Sequence, residues 1–414
     1  MAFLLGWRPR DPARSHALTH LRLAPLLALA VALVPLALDA YLPAFPQIAA
    51  DLGVTTSEVG LTLSIYVFLL AFGQLIGGPL SDRFGRRPVL FAGLVVFIIG
   101  SLMVARAETL PAMLGWRALQ AFGGGWVAVS VPAIVRDHTS GRDTARLFSL
   151  IALIMFIAPA IAPTIGSILL SVLGWHGVFE FLAGYALLVG VLLQLLLFPA
   201  MGPIRGGPRE PLHALISNYG HVLRNRTVVL LVLLQALAFS TLLIYLTHAP
   251  FLLQEWLGLG NRDFSAVFAL NVAAMASVSL LNRRLLEHFE PRQILAVSVR
   301  FQCLAVAVLL SAIVLPVPRW LVIPGLMLVI GAMGAIAPNV QASVMQHFRR
   351  LGGTAAAVLG ATQFAGGGLI SAASALLVQG HAPRVAMAML ACGLGAAALM
   401  VPVGRGLRAV TPPE

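Results

Sequence analysis

The chain has 414 residues, 59% of them hydrophobic and only 10% charged, with a mean hydropathy of +0.93. A water-facing surface needs about a quarter of its residues charged, so a soluble multidomain protein is excluded. All 27 basic residues are arginine. Without lysine there is no P-loop phosphate site and no Schiff-base chemistry, which excludes a self-contained ATP pump and a retinal protein.

Apolar runs of about 18 to 25 residues, each able to cross a ~30 Å hydrocarbon layer as a helix, predict twelve spans. They lie at 23–46, 59–79, 89–105, 110–134, 147–172, 178–199, 228–248, 265–282, 293–315, 320–343, 354–378 and 385–404. The first run follows Arg8, Arg10, Arg14 and Arg22 but is too long for a signal peptide and continues into Asp39 and Tyr41, so no cleaved leader is expected. The expected fold is an all-α membrane protein with twelve transmembrane helices in two six-helix halves. The divisions are a segment 1–22, a first half 23–199, a central loop 200–226, a second half 227–404 and a tail 405–414.

Short cytoplasmic loops retain basic residues, and the arginines test the map. With the N-terminus inside, 21 arginines fall on cytoplasmic segments and four on outer loops, Arg106, Arg262, Arg319 and Arg384. Two lie within spans. Both termini are therefore expected in the cytoplasm of an inner-membrane protein. The net charge of +12 is explained by topology, and arginines dispersed over loops make no groove for nucleic acid.

The central segment opens on Gly202, Pro203, Gly206, Gly207, Pro208 and Pro211, a linker composition. Leu212, Leu215, Ile216, Tyr219, Val222 and Leu223 then follow at helical spacing and are expected to lie along the membrane surface. An internal repeat supports the division. Tyr41, Leu42, Pro46 and Asp51 recur as Tyr245, Leu246, Pro250 and Glu255 at a shift of 204 residues. Asp82, Phe84, Arg87, Val89 and Leu90 align with Glu287, Phe289, Arg292, Ile294 and Leu295 at a shift of 205. Two such halves are the plan of many secondary transporters. Cys303 and Cys392 lie in apolar runs and read as small buried hydrophobes.

Four charged side chains fall within predicted spans: Asp39, Arg117, Glu180 and Arg300. Each costs about 2.5–3.5 kcal/mol at mid-helix and is a functional candidate by default. In a continuous first span Asp39 lies ~10 Å from the outer end. Arg117 lies at a similar ~10 Å in the antiparallel fourth span. Equal depth makes a direct or water-mediated pair geometrically possible, either a switching proton site or a static ion pair. Glu180 is a possible second acid, and Arg300 is placed to snorkel toward inner headgroups. Tyr41, Gln120, Gln235, Tyr245 and Gln341 are candidates to line a largely apolar cavity, although an intramembrane Gln also serves to bond neighbouring helices. No zinc-protease or nucleophile-elbow pattern occurs, so neither a metal nor a cofactor is expected.

The loop Gly78-Pro79-Leu80-Ser81-Asp82-Arg83-Phe84-Gly85-Arg86-Arg87 resembles the signature loop of the major facilitator superfamily. In it Gly78 is expected to let backbones approach. Asp82 is expected to act as a gating latch, accepting from a helix N-terminus or pairing with Arg83, Arg86 or Arg87; a solvated basic loop is the alternative. Asp39 through Pro46, Arg117 through Gly123, Val135-Arg136-Asp137, and Pro159, Pro163 and Gly166 in the fifth span resemble the Bcr/CflA group of drug:proton antiporters. Phe156 and Ala162 depart from the glycines usual there, and Glu290 and Pro291 make the second copy of the loop degenerate. The resemblance implies proton coupling at Asp39 and Arg117. It also implies export of small amphiphilic molecules by a monomer in the lipid bilayer, with small-molecule substrate and protons as its partners. A dedicated transporter of one metabolite, an amino acid or sugar derivative, is the alternative.

Overall fold

The computed structural model describes residues 12–138, 141–201, 219–348, 352–378 and 380–408. The segment 1–11, the linker 202–218 and the tail 409–414 lie outside the described residues. Among those described there is no strand, as expected where lipid offers no partner to an unpaired peptide group.

The first half comprises α1 (Pro12–Asp39), the short α2 (Phe45–Leu52), α3 (Thr56–Phe84), α4 (Arg86–Val104), α5 (Leu110–His138) and α6 (Gly141–Leu192). The second comprises α7 (Arg226–Pro250), α8 (Asn261–Leu285), α9 (Pro291–Val314), α10 (Val322–Gly331), α11 (Met333–His347), α12 (Gly352–Val378) and α13 (Ala382–Arg408). Eleven continuous stretches are long and apolar enough to cross a membrane. One of them carries two crossings, because α6 doubles back at Gly174, whose φ of 70° is a left-handed turn that favours glycine. With α10 and α11 forming one crossing, the result is six and six, with the fifth and sixth spans divided where the sequence predicts.

Two features differ from the sequence expectation. The first span is not one helix to residue 46: α1 stops at Asp39, a 3₁₀ turn covers Leu42–Ala44, and α2 restarts at Phe45. Pro43 and Pro46 account for the break, since neither ring nitrogen can donate back to the preceding turn, and each is tolerated only in the first turn of the segment it opens. The end of the central segment is also not a free surface helix. Residues 219–224 are helical, and Val222 is fully buried with the second-half core.

Without a hydrophobic force between helices in lipid, small residues let backbones meet. A Cβ on Gly73 would lie 2.5 Å from the Phe122 carbonyl oxygen, and one on Gly77 2.8 Å from the Trp126 ring. Gly93 and Gly123 face each other's carbonyls across α4 and α5. Gly78, expected to fill this role, meets open space; the close approach of α3 belongs to Gly73 and Gly77, on the face turned to α5.

Overpacking such a seam costs about 1–3 kcal/mol. Gly123→Val, whose Cβ would sit 2.6 Å from the Gly93 carbonyl oxygen, is expected to lower the melting temperature of the detergent-solubilised protein. Gly78→Ala is expected to leave it unchanged.

Candidate functional site

The break in α1 builds the site. Ala40 N–H still bonds the Leu36 carbonyl at 3.0 Å, but the next bond along is Ala44 N–H to the Tyr41 carbonyl. The Ala37 carbonyl is left without a helical partner. A helix C-terminus carries partial negative charge and favours a cation. Arg117 supplies one from α5, both terminal nitrogens donating to the Ala37 oxygen at 3.3 Å.

Arg117 is fully buried, and its surroundings explain how lipid depth tolerates it. Its guanidinium carbon lies 4.3 Å from the Tyr41 and Tyr66 ring centroids and 5.5 Å from that of Phe179. Desolvated contacts of this kind contribute on the order of 0.5–2 kcal/mol each. Its Nη1 also donates to Gln120 Oε1 at 2.6 Å, and Gln120 donates onward to Ser101 Oγ on α4 at 2.7 Å. Tyr41 donates to Thr62, whose own proton goes to the Val59 carbonyl. One side chain thus ties together α1, α3, α4, α5 and the second limb of α6. Gln120 and Tyr41, read from the sequence as cavity lining, are buried partners of this arginine.

Asp39, the last residue of α1, is buried but not paired with Arg117. No ion pair or hydrogen bond reaches its carboxylate among the described residues. The direct form of the pair is not made, because the chain turns after Asp39 and Arg117 engages the freed carbonyl two residues earlier. The carboxylate lies within electrostatic reach of Tyr41 and also of Tyr245 in the second half. The turn that follows the acid touches the second half, where Gln254 donates to the Pro43 carbonyl, so the acid sits beside the junction of the halves. Tyr245 accepts from Asn271 on α8 at 2.7 Å. On the other flank Gly166 abuts α1 so closely that a Cβ there would collide with the Ala40 carbonyl. Gly166 follows Pro159 and Pro163 in α6, which places the antiporter-like motif of the fifth span against the acid-bearing turn.

Other candidates lie elsewhere. Glu180 and Arg300 are exposed on the outer faces of their helices, away from Arg117. Gln235 is buried and donates to Gln363 between α7 and α12 at 3.0 Å, so it bonds helices, while Gln341 is exposed on α11. The signature loop lies at the opposite end of the molecule from α2. Gly85 has φ 98°, a conformation that requires glycine, and turns α3 sharply into α4. Arg86 forms an ion pair with Asp82 and bonds Asp137 at the end of α5 at 2.8 Å. Arg87 donates to Gln194 and stacks on Phe198, while Arg83 lies over Phe84. Arg86 is thus the option realised for Asp82, and the tie is within the first half. Tyr219 of the central segment is close enough that burial, together with the Asp82 charge, pushes its phenol above the ordinary range.

The halves touch at the α2 end. Thr56 donates to Glu255, Gln254 to the Pro43 carbonyl, Ser167 meets Ser265 at 3.0 Å, and Ser64 donates to Ser371 at 3.0 Å. A Cβ on Gly60 would collide with Thr247. No hydrogen bond or ion pair joins the halves at the loop end among the described residues. One buried ionisable group in the closed region was missed by sequence reasoning: His248, on α7. It shows no motif, and the only signal is an imidazole in an otherwise apolar run.

The family model of the Major Facilitator Superfamily matches residues 27–372, and the chain belongs to that superfamily: it is a multi-pass secondary transporter. A bicyclomycin resistance protein homolog of Haemophilus influenzae is 27% identical over 87% of this chain and 90% of that protein. The multidrug resistance protein MdtL of Salmonella typhimurium is 31% identical over 65% of this chain and 67% of its own. Among solved structures, a bacterial homologue of the lysosomal transporter Spinster, inward-facing and occupied, superimposes with a TM-score of 0.77 at 16% identity, covering 98% of this chain and 100% of that one. A D-xylose–proton symporter gives 0.73 at 16% identity, over 93% and 96%.

Because Asp39 has no partner, Asp39→Asn is expected to keep or raise the melting temperature. Truncating a buried ion pair would instead cost about 3–5 kcal/mol, so a large fall would restore the Asp39–Arg117 pair. Gln120→Leu, which removes an acceptor from a buried guanidinium, is expected to lower stability by about 1–3 kcal/mol.

Proposed function

We propose that the chain exports drugs or similar small amphiphilic molecules in exchange for protons, by alternating access of the halves 23–199 and 227–404 about the central loop 200–226. The observation that carries this reading is the Asp39 carboxylate, buried at the junction of the halves and unbound by the adjacent Arg117. An acid held in an ion pair would have to break it before taking a proton. Asp39 can exchange a proton for a cationic or polar ligand group at no such cost. Arg117 shapes the turn that carries it and keeps a fixed positive charge nearby. The names carried by the relatives support drugs as the substrate class.

In this reading the loop end, rich in arginine, faces the cytoplasm, with both termini on that side, and the α2 end faces outward. The structure is then the inward-facing state of a monomer. The Asp82–Arg86–Asp137 cluster holds the cytoplasmic ends of α3, α4 and α5 as one body while the halves rock. Its latch role requires a contact to the second half that forms when the loop end closes.

In everted vesicles energised by respiration, addition of a transported drug is expected to discharge part of the pH gradient. Asp39→Asn should abolish this discharge while the protein stays inserted. Arg117→Lys keeps the charge but loses the two-pronged donation to Ala37 and the planar fit against the rings, and should also fall to background. Discharge by a single metabolite with none by a broad drug panel would replace this reading with a dedicated metabolite transporter.

A further inference from the structure

His248 is fully buried near the end of α7, next in sequence to Thr247, which is pressed against Gly60 of the first half. Its Nε2 is 3.1 Å from Ser374 Oγ on α12. Ser374 donates its own hydroxyl proton to the Ser371 carbonyl at 2.7 Å, so toward His248 it can only accept. Nε2 therefore carries the ring's proton, and Nδ1 is a bare lone pair. That Nδ1 is buried and has no hydrogen-bond partner.

The serine ladder leads straight to the other half. Ser371 Oγ is 2.6 Å from Thr247 Oγ1 and accepts from Ser64 of α3 at 3.0 Å, and Thr247 itself is pressed against Gly60. Opening this end separates Ser64 from Ser371 and Gly60 from Thr247, and lets water in beside His248.

No charge compensates the ring where it lies. Helix α12 carries no titratable side chain. From α3 come Glu58, capped by Thr55, and Tyr66, which stacks on Arg117. From α7 and its π-helical extension come Tyr245, bonded by Asn271, and Glu255, bonded by Thr56. Asp39 lies toward Tyr245. The ionisable groups of α8 and α11, Arg262, Asp263, Arg283, Arg284 and His347, stand at the helix ends, and Arg384 of α13 is exposed. A second proton on the ring would be a buried cation with nothing to receive its Nδ1–H.

We propose that His248 is a proton-sensitive lock. The halves close over it at the α2 end only when the ring is neutral, and when they part Nδ1 takes a proton from water on that side, to which it must return before closure. Acid on the outer face then holds the transporter open to that face. The proposal rests on the alternating-access reading above.

The test measures the separation of spin labels at Ala50→Cys and Arg262→Cys, both exposed at the α2 end of opposite halves, in a Cys303→Ala, Cys392→Ala background. Asp39→Asn is included to remove the other buried acid. As the pH falls from about 8 to about 5, across the imidazole range, the separation is expected to grow. Adding His248→Gln, which keeps a donor for Ser374 but does not titrate, should flatten the response. Ser374→Ala, which leaves the ring and removes its acceptor, should keep the response and shift its midpoint. A flat profile in the Asp39→Asn parent, a slope that survives His248→Gln, or an unmoved midpoint in Ser374→Ala would overturn the proposal. A flat profile together with intact drug-driven proton release by the unsubstituted protein in vesicles removes His248 alone; absent release by the unsubstituted protein removes the export reading instead.

Discussion

The first half is organised around a broken helix. Two prolines just beyond Asp39 end α1 within the depth of the membrane, where an unpaired carbonyl cannot turn to water. The orphaned Ala37 oxygen needs a donor, and Arg117 reaches it from α5. Bringing a guanidinium so deep demands further compensation, supplied by three aromatic rings and Gln120. Tyr41, Tyr66 and Phe179 come from the first, second and sixth spans and Gln120 passes the bond to Ser101 of the third, so satisfying one carbonyl ties five of the six spans into a single body. That rigidity is what a rocking mechanism needs. A half that deformed under load would not transmit a change at the acid to the distant loop.

The two ends of the interface are built from different chemistry. At the α2 end the halves meet through hydroxyls, a side-chain amide, a single carboxylate and glycine-permitted backbone contacts. Such neutral bonds are worth about 0.5–1.5 kcal/mol each, and a handful can be made and broken within a transport cycle. At the loop end the strong charge-assisted bonds of Arg86 stay inside one half. Strong contacts hold bodies together and weak ones join the bodies, which keeps both states of a two-state system within reach of a ligand's differential binding.

The sequence made the spans legible because hydropathy acts locally. The gap between the runs 147–172 and 178–199 leaves room for the turn that falls at Gly174, whereas the left-handed conformations of Gly174 and Gly85 emerge only in the structure. The site was legible in part. Asp39 and Arg117 stand out because charges at that depth demand explanation, but their mutual geometry was inferred from helical rise along a span that Pro43 and Pro46 interrupt. Gly78 was singled out by its place in a motif, whereas the residues that let helices touch, Gly73 and Gly77, are set by which face of α3 meets α5. Gln120 carried a signal that was there to use, since Arg117 lies three residues before it in the same predicted span and so on the same face. His248 gave no signal because an uncharged imidazole in an apolar run breaks no composition rule. Its significance comes from a proton count over Ser374 and Ser371 that exists only in three dimensions.

The separation of Asp39 from Arg117 carries the most weight for mechanism. An ion pair at this depth would be held by a Coulomb term that grows as the local dielectric falls, and the acid would be committed to its charged form in both states. By giving the terminal nitrogens of Arg117 a carbonyl and an amide and its faces aromatic rings, the fold holds the positive charge in place and leaves the carboxylate free to respond. What the acid then sees is set by which end of the molecule is open. With the α2 end shut, Asp39 lies near Tyr245 of the opposite half, and any rotation of the halves must alter that approach. A protonation equilibrium governed by the distance between two bodies, and not by a bond within one of them, is the simplest way to make proton exchange depend on the transport state.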